Sequence, residues 1–247
     1  MCCFLLLPLG MRAQEETDFF FSADRPGMGT GTDVLPLGTL QWETGAAYDR
    51  GKHAGACVHT YTLNNSLLRY GLTRQAELCV EWNAVCERQQ HETKWGIAPI
   101  AVGTKVKVHE SDNGWPTVSL LAQLALPVGT KAFRPDHVAP ALHALFGHTL
   151  SDRLDLGYEV GLDWDGETAD ATTFTALGLT WALDDRWAVF AENFNYFPCH
   201  AHAQWNADFG LTWMAGKRIQ LDASGSFRID NPASWYNIGV GVAWLIR

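Results

Sequence analysis

The sequence predicts a single all-β domain, a transmembrane antiparallel β-barrel of about twelve strands. Three observations predict it: apolar and polar residues alternate along most of the chain, the alternating segments have the length of membrane strands, and tryptophans lie near segment ends. The chain has 247 residues with 23 Gly, 11 Trp and 12 Phe, and only 18% of its residues are charged. All-β barrels reach this length as one domain. The mean hydropathy of −0.09 is too low for a bundle of membrane helices.

The net charge of −9 narrows the range of partners. A nucleic-acid-binding protein needs a basic face, so we expect no nucleic acid partner. Hydrophobic residues make up 47% of the chain, which is too many for a disordered protein. The composition therefore favours a folded chain with one apolar and one polar side to each strand.

The alternation is strictest between Arg153 and Trp164. One face of this segment is apolar and carries Leu154, Leu156, Tyr158, Val160, Leu162 and Trp164. The other face is polar or small and carries Arg153, Asp155, Gly157, Glu159, Gly161 and Asp163. Successive side chains of a strand point to opposite faces, so this pattern predicts a strand with two different environments.

Twelve segments follow this pattern. They are 39–50, 61–71, 75–86, 96–109, 116–126, 139–150, 153–164, 172–183, 186–197, 202–215, 218–228 and 234–246. Five connections are tight turns, around Thr73, Asn113, Asp152, Asp184 and Gly216. Six are longer loops, at 51–60, 87–95, 127–138, 165–171, 198–201 and 229–233. Short periplasmic turns alternating with longer extracellular loops are typical of outer-membrane barrels. The alternative is a soluble β-sandwich or barrel, which also alternates.

The tryptophans favour the membrane alternative. With odd strands running outward, one group lies at the periplasmic end: Trp42, Trp115, Trp181, Trp187, Trp213 and Trp244. The other group lies at the outer end: Trp82, Trp95, Trp164, Trp205 and Trp235. Indole rings concentrate at the two membrane–water interfaces, so we expect two aromatic girdles and no tryptophan in mid-strand.

The region before the first strand divides into two parts. Residues 1–14 contain a short apolar run and resemble a signal peptide whose true start lies upstream. Residues 15–38 form an N-terminal periplasmic segment with the Asp24-Arg25-Pro26 motif and glycines at 27, 29 and 31 for tight bends. The hypothesis is that this segment folds back and plugs the lumen, with Arg25 meeting lumen carboxylates; the alternative is a leader without fixed structure. The barrel itself takes residues 39–247.

Strand alternation also predicts which charged residues line the pore. The acids are Glu43, Glu77, Glu81, Asp155, Glu159, Asp163, Glu192, Asp208 and Asp222. The bases are Lys105, Lys107, Arg153, Arg218 and Arg228, with Arg69 expected to pair with Glu77 across neighbouring strands. Two interpretations stay open: a mildly acidic pore that favours cations or neutral polar solutes, and a network of opposed charges that seals a narrow bore.

Two motifs resemble a known family. They are Asp24-Arg25-Pro26-Gly27 with Val34-x-Pro36-x-Gly38-x-x-Gln41-x-Glu43-x-Gly45, and Leu68-Arg69-Tyr70-Gly71-Leu72-Thr73 with Glu77-Leu78. Together they are similar to a family of bacterial outer-membrane transporters known as the "meta-pathway of phenol degradation" family. The resemblance implies a β-barrel and a channel for small, aromatic compounds. The end of the chain departs from the usual barrel pattern, because Leu245-Ile246-Arg247 follows Trp244.

Signals for other chemistry are weak. His109-Glu110-Ser111 lacks the asparagine of a barrel phospholipase, and nothing in the sequence pairs Asp163 or Asp165 with His202 as a barrel protease requires. Cys199-His200-Ala201-His202 lacks further metal ligands, so we expect no metal and no cofactor. Cys57 and Cys86 are placed at the outer ends of neighbouring strands, and a disulfide between them is a hypothesis.

The function that the sequence favours is passive, porin-like transport of small solutes across the outer membrane of a Gram-negative bacterium. One alternative is a structural or partner-binding barrel with a sealed lumen, and a second is a barrel hydrolase. The partners expected are outer-membrane lipid, the barrel-assembly machinery and a small-molecule solute.

Overall fold

The computed structural model describes residues 21–53, 56–111 and 114–246 and forms a closed antiparallel β-barrel. The first strands are β1 (Leu40–His53), β2 (Ala56–Gly71), β3 (Ala76–Gln89), β4 (Glu92–Ile97), β5 (Ala101–His109), β6 (Thr117–Ala125) and β7 (Ala139–Ser151). They are followed by β8 (Leu154–Trp164), β9 (Ala171–Ala182), β10 (Trp187–Phe197), β11 (Gln204–Met214), β12 (Ile219–Arg228) and β13 (Trp235–Leu245).

The thirteen strand segments occupy twelve positions around the barrel. β1 pairs with both β2 and β13, and β2 pairs with β3, so the sheet closes on itself. β4 and β5 both pair with β3 and together form the fourth position. The break between them contains Pro99, which has no N–H to donate to a ladder. Through closure, each of the twelve positions has a hydrogen-bonded neighbour on both sides, as a lipid environment requires, although β4 itself pairs only with β3.

Two predicted loops are wrong. Residues 51–60 and 87–95 are mostly strand, because β1 and β2 pair as far as His53 with Ala56, and β3 and β4 as far as Gln89 with Glu92. The remaining outer loops are long: 126–138, 165–170, 198–203 and 229–234. The first two are joined by a hydrogen bond from His137 N to Gly166 O at 3.1 Å.

The outward face of the barrel is apolar. Its exposed side chains include Leu120, Leu142, Val160, Leu177, Phe209, Ile238 and Val240. A water-soluble protein rarely leaves so many large apolar residues uncovered, whereas a lipid-facing band consists of them. Among the described residues, no helix is long and apolar enough to span a bilayer.

Most tryptophans follow the predicted girdles. Trp187 and Trp213 are directly paired at the short-turn end, and their rings stack at a centroid distance of 5.8 Å. Two tryptophans differ. Trp82 lies in the middle of β3, because that strand continues to Gln89. Trp235 faces the lumen, where its ring lies 6.2 Å from that of Phe194.

Residues 1–20 lie outside the described residues, and so does the predicted signal peptide of residues 1–14. Residues 22–36, which we call the inner segment, run inside the barrel from its short-turn end. They place the Asp24-Arg25-Pro26 motif against the lumen wall, and a bend follows at residues 26–29, where the glycines predict one. The lumen is therefore described below as wall and inner segment together.

Candidate functional site: the barrel lumen

The inner segment crosses the lumen and bonds to side chains of opposite walls. On one side, Gly29 N donates to Glu192 Oε1 at 3.0 Å and Thr30 N donates to Glu159 Oε2 at 2.7 Å. On the other side, Leu35 N donates to Glu77 Oε2 at 2.7 Å. The acids predicted to line the pore thus accept hydrogen bonds from backbone amides of this segment.

Arg25 fixes the beginning of the inner segment to the wall. Its Nη2 lies 3.2 Å from Asp222 Oδ1 and its Nε lies 3.2 Å from Asp222 Oδ2. The guanidinium occupies space that two strand glycines leave open, since a Cβ at Gly45 would lie 2.5 Å from Arg25 Nη2 and one at Gly241 would lie 2.3 Å from it. The predicted meeting of Arg25 with lumen carboxylates is confirmed.

A buried cluster of opposite charges, which we call the ion cluster, lies at the short-turn end of the lumen. It consists of Asp24, Glu43, Arg69, Glu77 and Lys105, and the four wall side chains are 0% exposed. Arg69 donates from Nε to Glu77 Oε1 at 2.9 Å and from Nη2 to Glu77 Oε2 at 3.0 Å, which confirms the predicted pair. Both oxygens of Asp24 lie 2.8 Å from Lys105 Nζ. A bidentate Arg–carboxylate pair fixes geometry as well as charge.

The ion cluster also bonds the backbone of the inner segment. Arg69 donates to the carbonyl oxygens of Ser22 and Asp33, and Lys105 donates to those of Gly31 and Asp33. Ser119 Oγ donates to Thr32 O at 2.6 Å. The cations of the wall therefore satisfy backbone groups that would otherwise be buried without a partner.

The other predicted pore-lining residues lie away from the ion cluster. Glu81 accepts from Gln123 Nε2 at 2.8 Å, Arg228 donates to Gln204 Oε1 at 2.7 Å, and Lys107 forms ion pairs with Asp33 and Glu110. Asp155 is exposed near the short-turn end of β8. Asp208 is 2% exposed.

Arg153 and Arg218 differ from the prediction. Each lies one residue before its strand, in the short turns that precede β8 and β12, and each is exposed. They belong to the rim of the barrel rather than to the lumen wall, because the strands begin one residue later than the alternation indicates.

The outer half of the lumen contains an aromatic cluster that the sequence did not reveal. It consists of Phe174, Phe194, Tyr196 and Trp235, on β9, β10 and β13. Phe194 is 1% exposed, and its ring lies 6.0 Å from that of Tyr196 and 6.2 Å from that of Trp235. Phe174, Phe194 and Tyr196 take inward positions in the alternation, and this is the sequence signal for the cluster, whereas the predicted pore lining consists of charged residues alone.

His143 links this aromatic cluster to the acids and was also missed. Its Nδ1 forms a hydrogen bond with Glu159, its Nε2 lies 2.8 Å from Asp163 Oδ1, and its ring lies 5.7 Å from that of Phe174. Glu159 also accepts from Thr30. The imidazole thus joins the inner segment, through Glu159, to the aromatic cluster.

The structure contradicts the hypothesis of a Cys57–Cys86 disulfide. Both cysteines are free, and Cys86 pairs with Tyr61, four positions along β2 from Cys57. That spacing separates the two Cα atoms by about 13 Å, whereas a disulfide requires less than about 7 Å. Among the described residues, no group of three His, Cys, Asp or Glu side chains has the arrangement of a metal site.

The weak enzyme signals gain no support from the geometry. Asp163 bonds His143 rather than His202, and the Ser111 hydroxyl donates to Trp115 O at 2.9 Å. In the loop after β8, Asp165 accepts hydrogen bonds from Thr168 N and Glu167 N, which lower the pKa of its carboxyl. These contacts are those of a structured loop.

Solved structures of similar fold include outer-membrane channels and porins. The COG4313 outer membrane channel from Pseudomonas putida F1 matches with a TM-score of 0.67 at 11% identity, over 90% of this chain and 99% of that one. The NanC porin matches with a TM-score of 0.56 at 11% identity, over 82% and 98%. The CymD monoaromatic hydrocarbon channel matches with a TM-score of 0.50 at 9% identity, over 85% and 89%.

The sequence comparison is consistent with this fold. No curated protein sequence matches the chain at a significant level. A family model does match, over residues 23–246, and it begins at the motif around Arg25 that fixes the inner segment. The chain is an outer-membrane β-barrel, and it belongs to the family described as "Putative MetA-pathway of phenol degradation".

Proposed function

We propose that the protein is a passive channel for small solutes in the outer membrane of a Gram-negative bacterium. The observation that carries this proposal is the inner segment, which narrows a polar lumen at one end and leaves an aromatic-lined half above it. A structural barrel with a sealed lumen would not need a polar lumen with an aromatic-lined half. The inner segment sets the size of solute that passes.

The solutes that suit this lumen best are small aromatic compounds with a polar group. The aromatic cluster offers ring faces and edges to such a solute, and Glu159, Glu192 and Asp208 offer acceptors to its hydroxyl or amine. The family description names phenol degradation, and a protein of similar fold is a monoaromatic hydrocarbon channel. Both agree with this class of solute.

The acids and bases of the lumen give the expected ion preference. The two cations of the ion cluster face three carboxylates, whereas Glu159 and Glu192 accept from backbone amides of the inner segment. Negative charge is therefore in excess along the wall formed by β8 and β10. We expect a weak preference for cations over anions.

Planar-bilayer recording of the refolded protein tests the proposal. We expect steady single-channel steps and, under a salt gradient, a reversal potential displaced toward that of the cation. A folded barrel that stays silent in its complete form and after deletion of residues 15–34 would overturn the proposal in favour of a sealed barrel with partner-binding loops.

Solute uptake into proteoliposomes tests the solute class. Phenol-sized aromatic solutes should enter faster than aliphatic solutes of equal size, and the difference should shrink when Phe194 is replaced by alanine. Equal rates for both classes would contradict an aromatic preference and would leave the channel itself intact.

We also propose that the barrel carries no hydrolytic activity, which assays with lipid and peptide substrates would check.

A further inference from the structure

A row of basic side chains crosses three neighbouring strands on the outside of the barrel. The strand register places Arg50 of β1 beside His59 of β2, and His59 beside Arg88 of β3. Lys52 lies two residues beyond Arg50, on the same face of β1. We call Arg50, Lys52, His59 and Arg88 the basic row.

The basic row faces away from the lumen. Tyr61 is directly paired with Tyr48 and lies two residues from His59, and it is 43% exposed on the outward face. No bulge interrupts the pairing between Tyr48 and Arg50 or between Tyr61 and His59, so all of them share that face. Arg50 donates from Nη2 to Cys57 Sγ at 3.3 Å, which directs its guanidinium toward Lys52 and the outer end of the strands.

Opposite charges occupy opposite faces of these strands. The acids next in sequence, Asp49 and Glu87, alternate to the inward side, while Arg50 and Arg88 alternate to the outward side. Within residues 21–53, 56–111 and 114–246, none of the basic-row side chains forms a salt bridge with a carboxylate. A chain of net charge −9 therefore carries a local positive surface here.

An aromatic row lies directly below the basic row. The register aligns Ile238, Tyr48, Tyr61, Cys86 and Trp95 across β13, β1, β2, β3 and β4. Trp95 is 65% exposed, and Tyr48 Oη lies 2.8 Å from His59 Nδ1. Tyrosine and tryptophan mark the level of the lipid head groups, so the basic row lies at or just above that level on the outer side.

We propose that the basic row binds the phosphate groups of a phosphorylated glycolipid of the outer leaflet, the lipid A part of lipopolysaccharide. Arginine fits phosphate through paired N–H donors, and a basic cluster beside a bilayer attracts anionic head groups. Arg50 and Arg88 are separated by two strand spacings, about 10 Å, so they can contact opposite sides of one head group. The acyl chains of the same lipid would lie on the apolar and aromatic surface below.

The test compares lipid retention by two double variants with that of the wild-type barrel. Arg50→Gln with Arg88→Gln removes two charges from the basic row. Arg74→Gln with Arg186→Gln removes two charges from exposed short turns at the other end of the barrel and serves as the matched control. Each protein is refolded with diphosphorylated lipid A, with dephosphorylated lipid A or with inorganic phosphate, and bound lipid is counted by native mass spectrometry.

The wild type and the control should retain diphosphorylated lipid A, and the basic-row variant should bind it about tenfold more weakly. Dephosphorylated lipid A should bind all three proteins alike, and inorganic phosphate should not compete at millimolar concentration. Retention by the basic-row variant equal to that of the wild type would overturn the proposal. Equal loss from the control, or wild-type retention that does not depend on the phosphates, would overturn it as well.

Discussion

The two halves of the lumen are built from different interactions. At the short-turn end, the ion cluster buries three carboxylates against two cations and bonds the backbone of the inner segment. In the outer half, aromatic rings from β9, β10 and β13 pack against one another, and few ion pairs occur among the described residues there. The same alternation of inward and outward residues produces both halves, but their contents differ.

This difference suggests that one half of the lumen holds the inner segment in place and that the other half contacts the solute. Losing one partner of a buried ion pair strongly destabilises the fold, because the other charge stays buried without compensation. The ion cluster therefore fixes the inner segment in one position. Aromatic packing has no such all-or-none character and can yield to a solute of similar shape. We therefore expect substitutions in the first half to change stability and the position of the inner segment, and those in the second to change stability and solute preference.

Replacing Arg69 by methionine should have the largest effect. The substitution leaves Glu43 and Glu77 buried without their main cation, so the free energy of unfolding should fall by about 3–5 kcal/mol. Urea unfolding in detergent, followed by tryptophan fluorescence, measures it. Arg74→Met, in an exposed turn, is the control and should change stability by less than about 0.5 kcal/mol. Similar values for both variants would remove the distinction between the halves.

Phe194→Ala should come next. It removes a 1% exposed ring from the centre of the aromatic cluster. Loss of packing should cost about 3 kcal/mol, and the widened bore should raise single-channel conductance. Phe209→Ala is the matched control, because Phe209 is 55% exposed on the lipid face. If conductance rises as much in the control as in Phe194→Ala, the cluster does not line the path.

Gly241→Ala should move the inner segment with a smaller loss of stability. Its new Cβ would lie 2.3 Å from two nitrogen atoms of Arg25, so the guanidinium must leave Asp222. We expect a loss of about 1 kcal/mol and a higher, noisier conductance, like that of Arg25→Gln. Gly239→Ala is the control, because every neighbour of its Cβ is at least 3.6 Å away. Indistinguishable recordings from the two alanine variants would show that Arg25 does not hold the segment.

Asp184→Asn should have the smallest effect, since this turn lies outside both halves. Asp184 Oδ1 accepts from Arg186 N and Trp187 N, each at 2.8 Å, and these bonds lower the pKa of its carboxyl from 3.8. A carboxylate whose pKa is lower in the folded than in the unfolded chain stabilises the fold at every pH above the unfolded-state pKa. That stability is lost as the pH falls through the folded-state pKa. The unfolding midpoint should therefore differ slightly between wild type and variant at pH 6, and the difference should vanish in strong acid. A difference that grows below pH 3.8 would contradict this assignment.

Much of the wall was predictable because side-chain direction in a strand follows from sequence alone. Arg69 and Glu77 take inward positions on adjacent strands joined by a short turn, and this suffices to pair them. Asp24 and Arg25 were predictable from the sequence motif, and the charge of Arg25 also predicted that it meets the carboxylates of the lumen. Asp222 was not predictable as the partner of Arg25, because the two residues are far apart in the chain.

The failures have a common cause. Residues 51–60 contain glycines that indicate a loop, yet the described residues 51–53 and 56–60 are extended and paired with each other, and strand pairing is a tertiary property. Trp235 takes an inward position in the alternation, two residues before Asn237, but its contact with Phe194 joins strands that are not neighbours in the chain. The Cys57–Cys86 hypothesis failed for the same reason, since it required a register that the sequence does not contain.

The sequence by itself determined a twelve-position barrel, its apolar outer face and the charged character of its lumen, because the two-residue period is a local property of an extended chain. The tertiary structure alone decided which charges meet, where the inner segment crosses, and that Phe174, Phe194, Tyr196 and Trp235 form one cluster. These contacts depend on strand register and barrel closure, which join residues distant in sequence. The registers between β1 and β2 and between β2 and β3 also align Arg50, His59 and Arg88 into one basic row.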